Sequence, residues 1–195
     1  MKKIYFIAAC VMAAYFALAI LIIPKVYENA PTFIPQPRLD VKISSQKIIL
    51  GESFEITILA SNQGDAADLQ IVSVAFPQNN NLDNIQIVSY DFLQSPQLIQ
   101  KGETIGSEYL GGTSPVLSKY PFIEAYSRPA NHGDSFAMTL KVTPTETGSF
   151  RIYTKSVTMP HTNNLSHFPA EGLLDHQNEF VQEHIVDVVN LEAAS

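Results

Sequence analysis

The seven residues 136–142, Phe-Ala-Met-Thr-Leu-Lys-Val, carry apolar side chains at Phe136, Met138, Leu140 and Val142, with small or polar ones between them. Successive side chains of a strand point to opposite faces, so this period of two lays one face on a core and leaves the other to solvent. A helix would need its apolar positions three or four apart. Downstream, the corner Pro144-Thr145-Glu146-Thr147-Gly148 leads into a strand through Phe150, Ile152 and Tyr153, and the β-branched run Glu179 to Val189 gives a last strand. Upstream, Leu39, Val41 and Ile43 alternate, Ile48 to Leu50 follows, and Phe54, Ile56, Ile58 and Ala60 repeat the pattern before the turn Asn62-Gln63-Gly64-Asp65. Leu69 to Phe76 and Ile85 to Phe92 add two more strands, the first with an apolar phase slip between Ile71 and Val72 of the kind a β-bulge causes. Each one-sided strand must bury its face against another sheet, so a mainly β, antiparallel sandwich is expected.

The front of the chain is of another kind. Ile4 to Ile23 contains no charged residue, no Gly and no Pro, and a helix of that length spans about 30 Å, the hydrocarbon thickness of a bilayer. Lys2 and Lys3 precede the run while Lys25 and Glu28 follow it, and Tyr5 and Tyr27 lie near the two expected interfaces. This charge bias predicts a cytoplasmic N-terminus and a C-terminal domain outside, extracellular or periplasmic. A cleaved signal peptide is the rival reading, but its apolar core normally runs about 7–15 residues. A cut after Ala19 would leave Ile20 to Ile23 as an apolar terminus, and the lipoprotein-like box ending at Cys10 has few apolar residues before it. Residues 1–23 are therefore expected to be a tip and a retained single-pass transmembrane anchor in the plasma membrane. Ala9, Ala13 and Ala17 line one face, the small-residue stripe that lets another transmembrane helix approach. Pro24, Pro31, Pro35 and Pro37 predict an extended proline-rich spacer over 24–37, and residues 38–195 make the folded domain.

Composition narrows the function. Ten basic residues and all nineteen acidic ones lie beyond Lys3, leaving that region near −9, a balance that argues against nucleic acid and against electrostatic adhesion to anionic lipid. Cys10 is the single cysteine, so there is no intrachain disulfide and no multi-cysteine metal site. There is no Gly-x-Ser-x-Gly elbow, and Gly111-Gly112 lacks the lysine of a phosphate loop. No catalytic residues and no cofactor are expected.

Here a resemblance enters. The run Leu39 to Leu69, with its Gly51-Glu52 junction and Asn62-Gln63-Gly64 turn, resembles the opening of immunoglobulin-like modules of the CARDB type. The corner Glu146-Thr147-Gly148-Ser149-Phe150 resembles the turn into the sixth strand of such folds, with phenylalanine where tyrosine is commoner. The resemblance implies an immunoglobulin-like sandwich, and the layout is similar to membrane-anchored surface proteins of archaea and some bacteria. It fixes no activity.

Two long connections stand out. An insertion at about 93–130, holding extra short strands or forming a structured insertion, carries Tyr109, Tyr120, Phe122 and Tyr126, and a loop from Met159 to Gln177 carries Phe168; aromatics at this density either pack the connection onto the sandwich or make a partner surface. Asn164-Leu165-Ser166 fits the acceptor pattern for N-glycosylation at Asn164. His161, His167, His176 and His184 all fall late in the chain. With Met159, the first three make an alternative reading, a cupredoxin-like copper site serving a membrane oxidase or metal delivery, although no pair has close ligand spacing. Loop carboxylates leave room for a surface calcium ion. The leading expectation is a non-enzymatic interaction or accessory module in a cell-surface or membrane complex; a surface-layer or cell-wall structural module is a third.

Overall fold

The computed structural model describes residues 2–28, 33–105, 116–161 and 165–191. It is a mainly β sandwich of two sheets with one N-terminal apolar helix. Helix α1 covers Lys2–Glu28, and the stretch Lys3–Leu21 within it, 19 residues of mean hydropathy 2.4, is long and apolar enough to cross a membrane. The helix continues through Pro24, where an extended spacer was expected. Proline lacks an N–H and crowds the carbonyl four residues before it, but apolar helices tolerate it. The chain from Phe33 onward forms a compact unit of its own.

Its strands in chain order are β1 (Pro37–Ile43), β2 (Lys47–Ile49), β3 (Phe54–Asn62), β4 (Leu69–Ala75), β5 (Ile85–Tyr90), β6 (Gln97–Ile99) and β7 (Thr104–Ile105). They continue as β8 (Val116–Leu117), β9 (Phe122–Tyr126), β10 (Ser135–Val142), β11 (Gly148–Met159), β12 (Ser166–Phe168), β13 (Leu173–Leu174) and β14 (Phe180–Val189). The smaller sheet has the antiparallel order β1-β3-β10-β5. The larger runs β13-β14-β11-β4-β9-β6, with β12 also on β11 and β2 joining β14 in parallel. The short pair β7-β8 stands apart.

The alternation read from sequence is the core. From the smaller sheet it takes Leu39, Phe54, Ile56, Ile58, Ala60, Phe136, Met138, Leu140 and Val142, and from the larger Val72, Val74, Ile123, Ala125, Phe150, Ile152, Val186 and Val188. Two expectations need correction. The phase slip in β4 is no bulge: its register with β11 and β9 is unbroken, and the strand buries Gln70 on the core face, with Val72 and Val74, while Ile71 and Ser73 take the other. Gln70 is accommodated because its amide donates to the Ser61 carbonyl (3.2 Å) and Ser156 Oγ (3.1 Å). The register shift lies instead between β10 and β5, at Thr139 and Leu140. The expected insertion at 93–130 is shorter, because β9 inside it is a full member of the larger sheet; both its faces are largely covered, which hides the alternation.

The Asn62-Gln63-Gly64 turn ties the sandwich end together. Asn62 is fully buried; its Oδ1 accepts the amides of Gln36 (3.0 Å) and Gly64 (3.1 Å), and its Nδ2 donates to the carbonyls of Asp65 (2.6 Å) and Ala130 (3.0 Å). Gly64 lies against the backbone leading into β1, where a Cβ would sit 2.3 Å from the Ile34 carbonyl oxygen.

Candidate functional site

The solvent-side face of the larger sheet is not open. At its centre β4 offers only Ser73 and Ala75, flanked by Phe122 and Glu124 of β9 and by Tyr153 and Lys155 of β11. Two small side chains between rows of large ones leave a recess of about 60 Å³. Its rim comes from Ile105 and Tyr120 of the insertion and from Asp175, His176, Gln177 and Val181 of the hairpin joining β13 to β14.

Local chemistry fixes both rims. The insertion is closed by the Gly102 amide on the Ser118 carbonyl (2.7 Å) and the Ser118 amide on the Glu103 carbonyl (2.8 Å), while Ser118 Oγ donates to the Tyr120 carbonyl. Tyr120 thereby meets Tyr153 and His176 edge to face, at 6.4 and 5.2 Å between ring centroids. In the hairpin turn Asp175 Oδ1 accepts the amides of Gln177 (2.7 Å) and Glu179 (3.0 Å). Lys155 reaches across to bind this turn through Asp175 Oδ2 (3.1 Å), Gln177 Oε1 (3.2 Å) and Glu179 Oε2. Burial alone would raise the Asp175 pKa, but the Glu179 amide, the Lys155 charge and hydrogen bond and the Gln177 amide together outweigh it and hold the carboxyl below its usual range.

Of the partner-surface residues named from sequence, Tyr120 and Phe122 line the recess, and Tyr126, on the same face of β9, donates its hydroxyl to Glu124 Oε2 (2.6 Å). Phe168 is placed differently. It lies on β12, packed against the core, under the Arg38 guanidinium 5.4 Å from its ring centroid. Tyr109 and Asn164 lie outside the described residues. Ala9, Ala13 and Ala17 are exposed on α1.

The histidines do not assemble. His161 Nδ1 lies 3.0 Å from Asp68 Oδ2, His167 Nε2 lies 2.9 Å from the Phe180 carbonyl, and His176 sits in the hairpin. Met159 ends β11 half-exposed. Among the described residues no three His, Cys, Asp or Glu side chains come together as metal ligands, so the copper set drawn from the late histidines is spread over the structure, and no calcium cluster forms among them either. A polar cleft at the far loops, between Gln78 to Asn84 and Thr145 to Phe150, is wider, but its amides are committed. Gln78 pairs with the backbone of Ser149 and Arg151, and Asn79 binds Asn84, which binds the Thr143 carbonyl.

Sequence reasoning missed Lys155, Asp175, Glu124 and the two small residues. One signal was present: Val72-Ser73-Val74-Ala75-Phe76 puts small side chains at alternate positions of an otherwise bulky strand, which empties one face.

His184, on the core face of β14 with Nε2 3.1 Å from Thr154 Oγ1, has its pKa lowered by burial, against the pull of Glu183; His176 is lowered by burial too, against Asp175. A folded pKa below the unfolded value means that stability is complete above the ordinary value near 6.5 and is lost as pH falls through the folded one. Denaturation in urea should therefore show stability falling steadily from pH 7 to 5, and His184→Gln should flatten that slope. The Asp175 contribution follows the same sign lower down, beginning to be lost below about pH 3.8.

No protein-family model matches the chain, and no curated protein matches it. Among solved structures, a CARDB domain from Pyrococcus furiosus, in complex with di-metal ions, is 15% identical; the match covers 82% of this chain and 95% of that one, at a TM-score of 0.36. BslA, a bacterial hydrophobin, is 11% identical over 82% of this chain and 98% of its own, at 0.39. AvmM, which catalyses macrocyclization in alchivemycin A biosynthesis, is 12% identical over 78% and 88%, at 0.45. The chain is thus distantly similar in structure to CARDB domains and other immunoglobulin-like sandwiches, and these likenesses concern fold alone.

Proposed function

We propose that this chain is a non-enzymatic accessory module, anchored in the plasma membrane by α1 with its N-terminus cytoplasmic, whose sandwich works outside by holding a partner protein on the larger sheet. The observation that carries the reading is the walled recess. The two hairpins that contribute to its rim also expose Val116 and Leu117 on one side and Leu173 and Leu174 on the other, apolar side chains gathered around a concave site. The charge bias around α1 supports the orientation, and the alanine stripe supports a second transmembrane helix among the partners.

A photo-cross-linking residue at Leu117 of the full chain, in its native membranes, should give one discrete adduct. The same group at Lys42, exposed on the smaller sheet, should give none. No adduct at position 117, or equal adducts at both, defeats the reading. Protease added to intact cells should cut the sandwich domain, and full protection would overturn the orientation.

A further inference from the structure

We propose that the recess is a socket for an arginine side chain presented by that partner protein, an inference that rests on the interaction reading above. It begins with Glu124. Its Oε1 accepts from Ser73 Oγ (3.1 Å) and its Oε2 from the Tyr126 hydroxyl (2.6 Å). These neutral donors use two of the roughly four lone-pair positions of a carboxylate and neutralise none of its charge.

Among the described residues no cation pairs with it. The ion pairs among the described residues are Arg128 with Asp91, Arg151 with Glu183, Lys155 with Asp175 and Glu179, and His161 with Asp68; Glu124 is in none of them. Lys155 lines the same recess but is turned to the hairpin by three acceptors, two of them carboxylates. Lys119, next to Tyr120 in the chain, sits over that ring, 5.4 Å from its centroid. Among the described residues the recess therefore keeps a carboxylate without an ion-pair partner, one row along the sheet from the aromatic pair Phe122 and Tyr153 that flanks Ala75.

Size and charge choose the occupant. At about 60 Å³ the space is far below the roughly 300–1,000 Å³ of small-molecule sites, and it suits the end of one side chain. A guanidinium stacks on aromatic faces and meets a carboxylate with a planar fork, whereas an ammonium is a strongly hydrated point charge. The excess of acidic over basic residues beyond the helix attracts a basic partner over the same range.

Two measurements on the full chain in detergent micelles or native membranes decide it. In NMR titrations, N-acetyl-arginine amide should shift the amides of Ser73, Glu124 and Tyr153 saturably, about ten-fold more tightly than the neutral isostere N-acetyl-citrulline amide. Glu124→Gln, whose amide oxygen still accepts from Ser73 or Tyr126, should erase the difference while leaving the melting curve in place. Equal binding of the two amides, or binding unaffected by Glu124→Gln, overturns the inference. In membranes, Glu124→Gln should reduce the adduct from position 117 at least ten-fold. An undiminished adduct sinks the socket and leaves the interaction reading standing, and loss of the adduct already in the parent chain sinks the interaction reading instead.

Discussion

Asn62→Ala should lower the stability of the sandwich by about 3–4 kcal/mol, read as a shift in the urea midpoint at unchanged slope. The side chain is fully buried and makes four hydrogen bonds to backbone groups of three separate segments, at Gln36, at Gly64 and Asp65, and at Ala130. Alanine strips the Gln36 and Gly64 amides and the Asp65 carbonyl of the partner Asn62 gives them, while the Ala130 carbonyl keeps the Ala67 amide, and each buried unsatisfied group costs on the order of 1 kcal/mol or more. Gly64→Ala should match it by a different route. The new Cβ would stand 2.3 Å from the Ile34 oxygen, 2.5 Å from the Gln36 nitrogen and 2.8 Å from the Pro35 carbon. All three are backbone atoms, so the lead into β1 has to move. Against a typical domain stability of about 5–15 kcal/mol, either change brings the protein near its limit, and a loss under about 1 kcal/mol in both would refute the role given to this turn.

Phe136→Ala should cost about 3–5 kcal/mol, the usual range for emptying a large aromatic site in a core. Phe136 is 1% exposed, and its ring lies 5.7 Å from Phe92 and 4.9 Å from the Arg128 guanidinium, centroid to centroid and carbon to centroid. Phe92 immediately precedes the expected 93–130 insertion and Arg128 lies near its end, and the insertion's first residue also bonds its amide to the Tyr126 carbonyl at 3.0 Å. The variant should therefore speed hydrogen exchange in β6 and β9 more than in β1. A uniform increase, or none, would show that Phe136 does not anchor the insertion.

How much of this was legible follows from how local each signal is. Alternation in Phe54 to Ala60 and Phe136 to Val142 comes from strands with one covered face, and it placed their core side chains directly. It did not place Phe122 to Tyr126, where both faces are largely covered and the run has no period, so the sequence allowed extra short strands in 93–130 without locating them. In β4, Gln70 faces inward where its Nε2 donates to Ser156 and to a carbonyl of the other sheet, partners separated from it by up to 86 positions that no local pattern reveals. The recess was half visible. Its aromatics announce themselves by density, but the Lys155 clasp on Asp175 and Glu179 depends on a hairpin folding back over β11. The late histidines look like a set in one dimension only, because β12, the hairpin and β14 carry them to different partners.

The parallel pairing of β2 with β14, which matches Lys47 to Asp187, Ile48 to Val188 and Ile49 to Val189, bears on how the protein is made. Parallel strands need a long crossover, and here that crossover is nearly the entire sheet structure. β2 cannot take its place beside β14 until that strand, about 140 positions later, is available, so this edge of the larger sheet closes late. Closure there waits on contacts of high sequence separation, the slow class.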